Sequence, residues 1–207
     1  MADLEKTYLF RMLHIDNVDH LLKFGLTKVD SPNANPNYKS IGDSSLISSR
    51  KYHFLSNGNT LGNYIPFYFW NRMPMLYVIQ KGFNGVQITA PENIIYCITS
   101  IAKILEMGLQ FIFTDGHAID AFSSVFSVND ISKLEEILDY KTIKDPYWKD
   151  PKDLDKKRRK EAEFLVEEDI PIEAIGAFAV YNQIAKDKLV NLGIDSERIF
   201  IRSQYYF

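Results

Sequence analysis

Apolar residues recur along this chain in short runs of two different periods, and those runs mark out strands and helices. Thr7 to His14 is apolar apart from Arg11 and His14 and has the length of a strand; Asp16 follows as N-cap of a short helix with Val18, Leu21 and Leu22 inward and Gly25 at its end. Val29 to Ser45 breaks the pattern with Ser31-Pro32-Asn33-Ala34-Asn35-Pro36-Asn37, which predicts a long loop with a helical turn near Ser45 to Ser49. Loops this long inside a compact domain are often functional. The aromatic run Tyr64 to Trp70 predicts a strand, and after a proline-containing turn Met75 to Ile79 predicts another.

Ile94 to Thr99 predicts a strand that leads through Ser100 into an amphipathic helix, Ile101 to Met107, stopped by Gly108 and followed by a strand at Phe111 to Phe113. Ile131, Leu134, Ile137 and Leu138 have helical spacing behind Asn129 or Asp130 as cap, and Asp145-Pro146 opens a second polar stretch. The last third predicts strand Glu163 to Val166, a turn at Pro171, strand Ala177 to Tyr181, helix Ile184 to Leu192 and strand Arg198 to Ile201. Helical and strand patterns interleave without a regular βαβ period, so the expectation is one α+β domain over residues 1–207 with a mixed sheet of short strands. The pattern contains neither a Rossmann glycine fingerprint nor a Walker loop.

Composition narrows the class. The 207 residues, 46% hydrophobic and 14% aromatic, carry enough apolar material for one well-buried core, and the 25% charged residues of both signs fit a globular chain. A net charge of −3 gives no global attraction to nucleic acid, so any such role must rest on a local basic cluster. The single cysteine, Cys97, sits inside Ile94 to Ile98 and is expected to be buried and inert. Met1 to Lys6 has no apolar signal segment and no apolar run approaches the roughly 18 residues of a membrane span, which predicts a cytoplasmic protein without a membrane partner. No His, Asp and Glu set has metal-ligand spacing, so no metal is expected.

The strongest local signal is Lys156-Lys157-Arg158-Arg159-Lys160, five cations that deliver the chain into Glu161-Ala162-Glu163-Phe164-Leu165-Val166. Read plainly, it is a solvated surface. Read functionally, it is a phosphate-binding edge of salt-sensitive affinity, with Tyr147 and Trp148 as faces on which unpaired bases stack. If Phe164 and Val166 point one way, Glu163 and Leu165 point the other, so Glu163 is either an edge acid or a rigidly held carboxylate beside a polyanion groove. Arg11 and His14 project from the first strand, and Arg50 closes the long polar loop, where its fork suits a diphosphate. Arg72 lies in a turn after the aromatic strand that carries Tyr68. Thr114-Asp115-Gly116-His117 ends a strand at a glycine turn, a common way of presenting functional groups.

In this order the pieces resemble the DarT family of DNA ADP-ribosyltransferase toxins. The motifs are Tyr8-Leu9-Phe10-Arg11-Met12-Leu13-His14-Ile15, Tyr64-Ile65-Pro66-Phe67-Tyr68-Phe69 with Arg72-Met73-Pro74-Met75-Leu76-Tyr77, Phe113-Thr114-Asp115-Gly116-His117, and Arg158 to Val166. The resemblance implies an ADP-ribosyltransferase-like fold with two small mixed sheets around an NAD cleft, flanked by short helices. It implies Glu163 as catalytic glutamate and Arg50 as the essential arginine near NAD. Arg11, His14, Arg50, Tyr68 and Met75 would bind NAD, with Arg11 standing where several members carry histidine. Arg72, His117 and the basic run would meet single-stranded DNA. A macrodomain, DarG-like antitoxin is the implied partner of what would be a monomeric toxin. Two alternatives stay open: a non-enzymatic single-strand-binding module, and a transferase of the same fold acting on RNA or protein.

Overall fold

Strand β1 (Tyr8–His14) runs down the middle of the molecule, with Leu9 and Leu13 buried on one face and Phe10 and Met12 on the other. In this computed structural model, residues 3–55 and 57–207 are described; Met1, Ala2 and Ser56 lie outside them. The helices and strands that follow are α1 (Val18–Phe24), α2 (Ser44–Arg50), β2 (Ile65–Tyr68), α3 (Pro74–Lys81), β3 (Ile94–Ser100), α4 (Ile101–Glu106), β4 (Phe111–Thr114) and β5 (Val125–Ser127). They continue with α5 (Leu134–Ile137), α6 (Tyr140–Lys144), α7 (Lys156–Lys160), β6 (Glu163–Val166), β7 (Ala177–Val180), α8 (Gln183–Asn191) and β8 (Ile199–Ile201).

The strands form one eight-stranded sheet in the order β5-β4-β6-β2-β1-β3-β7-β8, antiparallel except for β7 beside β8. The two small sheets expected from the resemblance are therefore one. The reason lies at its centre: β1 and β2 are in register at a single pair, Phe10 with Tyr68, whereas β1 and β3 pair over their whole length and β2 and β6 over four residues. One close approach joins two half-sheets that diverge on either side of it. The guanidinium of Arg11 fills part of the wedge, with Nη1 donating to the Pro66 carbonyl at 2.9 Å.

Both faces are covered. Phe67, Phe113, Phe164 and Phe178 point into the larger core; Phe164 stacks on Phe111 at 4.4 Å between ring centroids and meets Phe69 edge-on at 6.1 Å. Each fully buried side chain of this kind contributes roughly 1.5–3 kcal/mol, so β6 is anchored by its outer neighbours as well as its ladder. The opposite face packs Phe10, Tyr68, Met73, Leu76, Tyr96 and Tyr206.

Several elements depart from expectation for identifiable reasons. Met75 to Ile79 is helix, not strand: Pro74 starts α3, Gly82 ends it with φ of 72°, and Leu76, Ile79 and Gln80 form its buried stripe. Asp16 does not cap the first helix; the His14 ring accepts the Asp16 N–H and opens a short 3-10 turn, Ile15–Asn17, that runs into α1. Near 131, a 3-10 turn Val128–Lys133 precedes α5, and its capping box belongs to Ser127 and Asp130. The basic run forms helix α7. Gly25 does end α1, at φ of 75°, and a Cβ there would collide with the Ile170 carbonyl across the bridge between Leu26 and Ile170.

Candidate active site

The start of β6 lies at the floor of a cavity of about 420 Å³ whose walls include Arg11, Arg50, Tyr68, Met75, His117 and Glu163. Strand alternation sends Phe164 and Val166 into the larger core and leaves Glu163 facing the cavity. Glu163 stands directly across the ladder from Tyr68. Its carboxylate is only 1% exposed and is held from three directions. Arg50 Nη1 donates to Oε2 at 2.9 Å, the Ala118 backbone N–H donates to Oε1 at 2.9 Å, and His117 Nε2 lies 3.9 Å from Oε1. A buried carboxylate is tolerable because these partners replace its water.

The partners come from short, strongly capped segments. Arg50 ends α2, which buries none of its residues and is started by the Asp43 carboxylate accepting from the N–H groups of Ser45 and Leu46. The Glu163 backbone is fixed too: its N–H donates to Thr114 Oγ1 at 3.1 Å, while that hydroxyl donates to the Gly116 carbonyl at 2.6 Å. The turn after β4 is thereby locked to the strand that carries the carboxylate. The Tyr68 hydroxyl lies 3.7 Å from Met75 Sδ, and burial, reinforced by Glu163 and Glu161, pushes its pKa well above the ordinary value. It is therefore a neutral donor at physiological pH.

Among the described residues, Arg50 Nη2 and Arg11 Nε are buried with no hydrogen-bond partner. Unpaired buried donors cost about 1–3 kcal/mol each, and both belong to side chains that line the cavity. An anionic or polyhydroxylic guest would satisfy them. No group of three or more His, Cys, Asp or Glu residues that could hold a metal occurs among the described residues.

Other residues singled out in the sequence lie elsewhere. His14 is buried under the sheet end, spent on its cap, and does not line the cavity; burial lowers its pKa, so the ring stays a neutral acceptor. Trp148 packs against Tyr77 and Phe207 with ring centroids at 5.5 and 5.6 Å, which makes it an anchor for the polar stretch rather than a free stacking face. Tyr147 beside it is 74% exposed. Arg72 lies over the Phe207 ring at 4.4 Å with Nε unpartnered.

The five cations of α7 are almost wholly committed to the protein. Lys156 pairs with Asp145 at 2.9 Å, and Arg159 reaches Asp139, Asp153 and Asp155 at 3.1, 2.6 and 2.9 Å. Arg158 takes Asp155 in a two-point fork at 2.6 and 2.9 Å, which holds that carboxyl down to about 2. Lys160, 1% exposed, donates to the carbonyls of Ile143 and Asp145 at 2.9 and 2.7 Å, and burial pushes its pKa down to about 8. Lys160 is thus withdrawn from any phosphate, against expectation, because it caps the open carbonyls at the end of α6. Only Lys157, 60% exposed and 3.8 Å from Glu161, still faces solvent. The Ala118 amide carried no recognisable sequence signal, since it matters through a contact with Glu163, 45 residues away in the chain.

Comparison with known proteins identifies the family and the fold. Residues 10–207 match the family model described as "ssDNA thymidine ADP-ribosyltransferase, DarT". A DNA ADP-ribosyl transferase of Thermus sp. (strain 2.9) is 32% identical, with 98% of this chain and 97% of the relative covered. A transferase–glycohydrolase fusion protein of Thermosipho africanus, acting on DNA ADP-ribosylation by its name, is 27% identical over 83% of this chain and 42% of the fusion. Among solved structures, Thermus sp. 2.9 DarT in complex with ADP-ribosylated ssDNA superposes with a TM-score of 0.86 at 29% identity, covering 98% and 97% of the two chains. The same protein in complex with NAD+ gives 0.78 at 30% identity and 98% coverage of both. With a family match over residues 10–207 and a solved relative of the same fold, this chain belongs to the DarT family.

Proposed function

We infer that this chain transfers a single ADP-ribose from NAD to a base of single-stranded DNA, and that Glu163 and Arg50 carry the chemistry. The observation that supports these roles most directly is the buried Glu163 carboxylate paired to a cavity-lining arginine whose second nitrogen is buried without a hydrogen-bond partner. NAD fits the donor set: Arg50 Nη2 and Arg11 Nε are unsatisfied where a pyrophosphate or ribose oxygen would bind, and Tyr68 and Met75 form an apolar and phenolic wall for the nicotinamide. NAD supplies the glycosidic bond whose cleavage develops positive charge on the ribose.

Glu163 is fixed beside that charge by Arg50 and the Ala118 amide, so it stabilises it without reorganising. The same carboxylate takes the proton of the attacking base nitrogen, a role that typically contributes about 10²–10⁴-fold. Arg50 both orients the carboxylate and holds the diphosphate. Arg72 and His117, with Tyr147 as an exposed stacking face, receive the single strand; of the basic run, Lys157 is the cation still available to a phosphate. The Thermosipho africanus fusion of transferase and glycohydrolase supports a DarG-like macrodomain antitoxin as partner, and hence a toxin role. We place the protein in the cytoplasm as a monomer, acting as one catalytic unit; among the described residues no helix is long and apolar enough to cross a membrane.

The decisive experiment incubates the protein with NAD and unpaired oligonucleotides, with RNA and protein acceptors alongside, and reads the mass of one added ADP-ribose. Glu163→Gln should lower transfer by about 10³-fold while leaving the oligonucleotide Kd within about twofold. An active Glu163→Gln variant would refute the central role of this carboxylate.

A further inference from the structure

Arg158 has the residue type of a DNA-binding cation and the contacts of an internal strut. Its side chain is 11% exposed. Besides the fork on Asp155, its Nη1 donates to Asp115 Oδ1 at 3.1 Å and to Ser123 Oγ at 3.2 Å, and its own backbone carbonyl accepts the His117 N–H at 2.9 Å. Ser123 Oγ in turn donates to the His117 carbonyl at 2.8 Å. Both backbone groups of His117 are therefore held by Arg158, one directly and one through Ser123. The next residue, Ala118, supplies the amide that holds Glu163 Oε1.

Gly116 belongs to the same device. A Cβ there would lie 2.4 Å from Arg158 Nη1 and 2.8 Å from Ser123 Oγ, so the guanidinium occupies the space that any side chain would need. The turn 114–118 is shaped around Arg158, and α7, which carries it, leads within three residues to Glu163.

We propose that Arg158 is a positioning residue for the transfer reaction: it fixes the His117–Ala118 backbone and, through it, the Glu163 carboxylate, and it makes no contact with DNA. The inference rests on the assignment of Glu163 as the reacting carboxylate. A displacement of about 1 Å at such a group can cost about 10²-fold in rate, whereas loss of a phosphate contact weakens binding and lowers the salt slope for a single strand by about 0.7. The two roles separate cleanly in kinetics.

The test compares Arg158→Gln, Ser123→Ala, Gly116→Ala and Glu163→Gln with the unmodified chain. It measures kcat and KM for NAD and oligonucleotide, oligonucleotide Kd across a salt series, and Tm. Arg158→Gln and Gly116→Ala should lower kcat by about 10–100-fold, and Ser123→Ala by a smaller factor, with Kd and its salt slope unchanged. A weakened Kd, a salt slope flattened by about 0.7 and an unchanged kcat at saturating DNA would make Arg158 a phosphate contact and overturn the inference. If Arg158→Gln does not fold, the half-buried Ser123 decides: an unchanged kcat in Ser123→Ala also overturns it. Retained transfer by Glu163→Gln removes the underlying assignment instead, whereas an inert Glu163→Gln beside a fully active Arg158→Gln removes the positioning role alone.

Discussion

In the cavity, Arg50 pairs with Glu163 through one nitrogen and leaves the other buried and unpartnered, as Arg11 leaves its Nε. In α7, behind the same carboxylate, each of five consecutive cations meets a carboxylate or carbonyl of the chain itself, and four are largely withdrawn from solvent. Charge density alone would point to α7 as the binding surface. Hydrogen-bond accounting points to the cavity, because a polar atom already satisfied by protein has little to gain from a ligand, while an unsatisfied buried donor gains its full partner. The lesson is that a basic run in a sequence counts charges but not their creditors.

Arg50 offers the sharpest break of that contrast. Arg50→Lys keeps the positive charge and can still pair with Glu163, but it loses the second nitrogen and the planar fork. Its transfer rate should fall by about 10–100-fold, with the KM for NAD raised; oligonucleotide affinity should hold. If Arg50→Lys retained wild-type kinetics with NAD, the unpartnered nitrogen would have no part in binding it.

Lys160 tests the other side. Replacing it by Met removes the ammonium but preserves much of the apolar stem, leaving the Ile143 and Asp145 carbonyls without their donor. The expected cost is about 1–3 kcal/mol of stability, read as a lower urea midpoint, with oligonucleotide binding unchanged in the folded protein. A fall in DNA affinity at an unaltered midpoint would return Lys160 to the binding surface.

How much of this could be read from the chain depends on where each signal sits. Strand β6 was legible because Phe164 and Val166 alternate with Glu163 and Leu165 in four residues, and β6 spans the expected Glu163 to Val166. Met75 to Ile79 was not, because Met-Leu-Tyr-Val-Ile suits either period, and the deciding marks, Pro74 and Gly82, lie just outside it. The single sheet was not, because one register pair between β1 and β2 leaves no trace in composition. Glu163 alone was a strand-starting acid; the motif order of the family singled it out, and Arg50 meets it from 113 residues away. Of the carboxylates that absorb α7, Asp153 and Asp155 lie just ahead of the run, whereas Asp115, Asp139 and Asp145 come from other turns and helix ends, and those pairings leave no trace in the run itself.

Glu161 is paired with α7 and lies in the electrostatic field of the cavity residues His117 and Glu163, and it gives the smallest and most specific effect. It is 7% exposed, lies 3.8 Å from Lys157 of α7, and shares the neighbourhood of His117 and Glu163. Burial raises its pKa above the ordinary 4.5, and the nearby Glu163 charge adds to the rise, while His117 and Lys157 oppose it. Between the unfolded and the folded pKa the native state binds more protons than the unfolded one, so stability from this group is full below the unfolded value and is lost as pH rises through the folded value. Glu161→Gln cannot ionise and lacks that loss. Urea unfolding of both proteins from pH 4 to pH 7 should therefore show the unmodified chain losing ground to Glu161→Gln as pH increases. A difference that stays flat, or that grows in favour of Glu161, would mean that Lys157 and His117 outweigh burial, and that α7 lends its charge to the cavity after all.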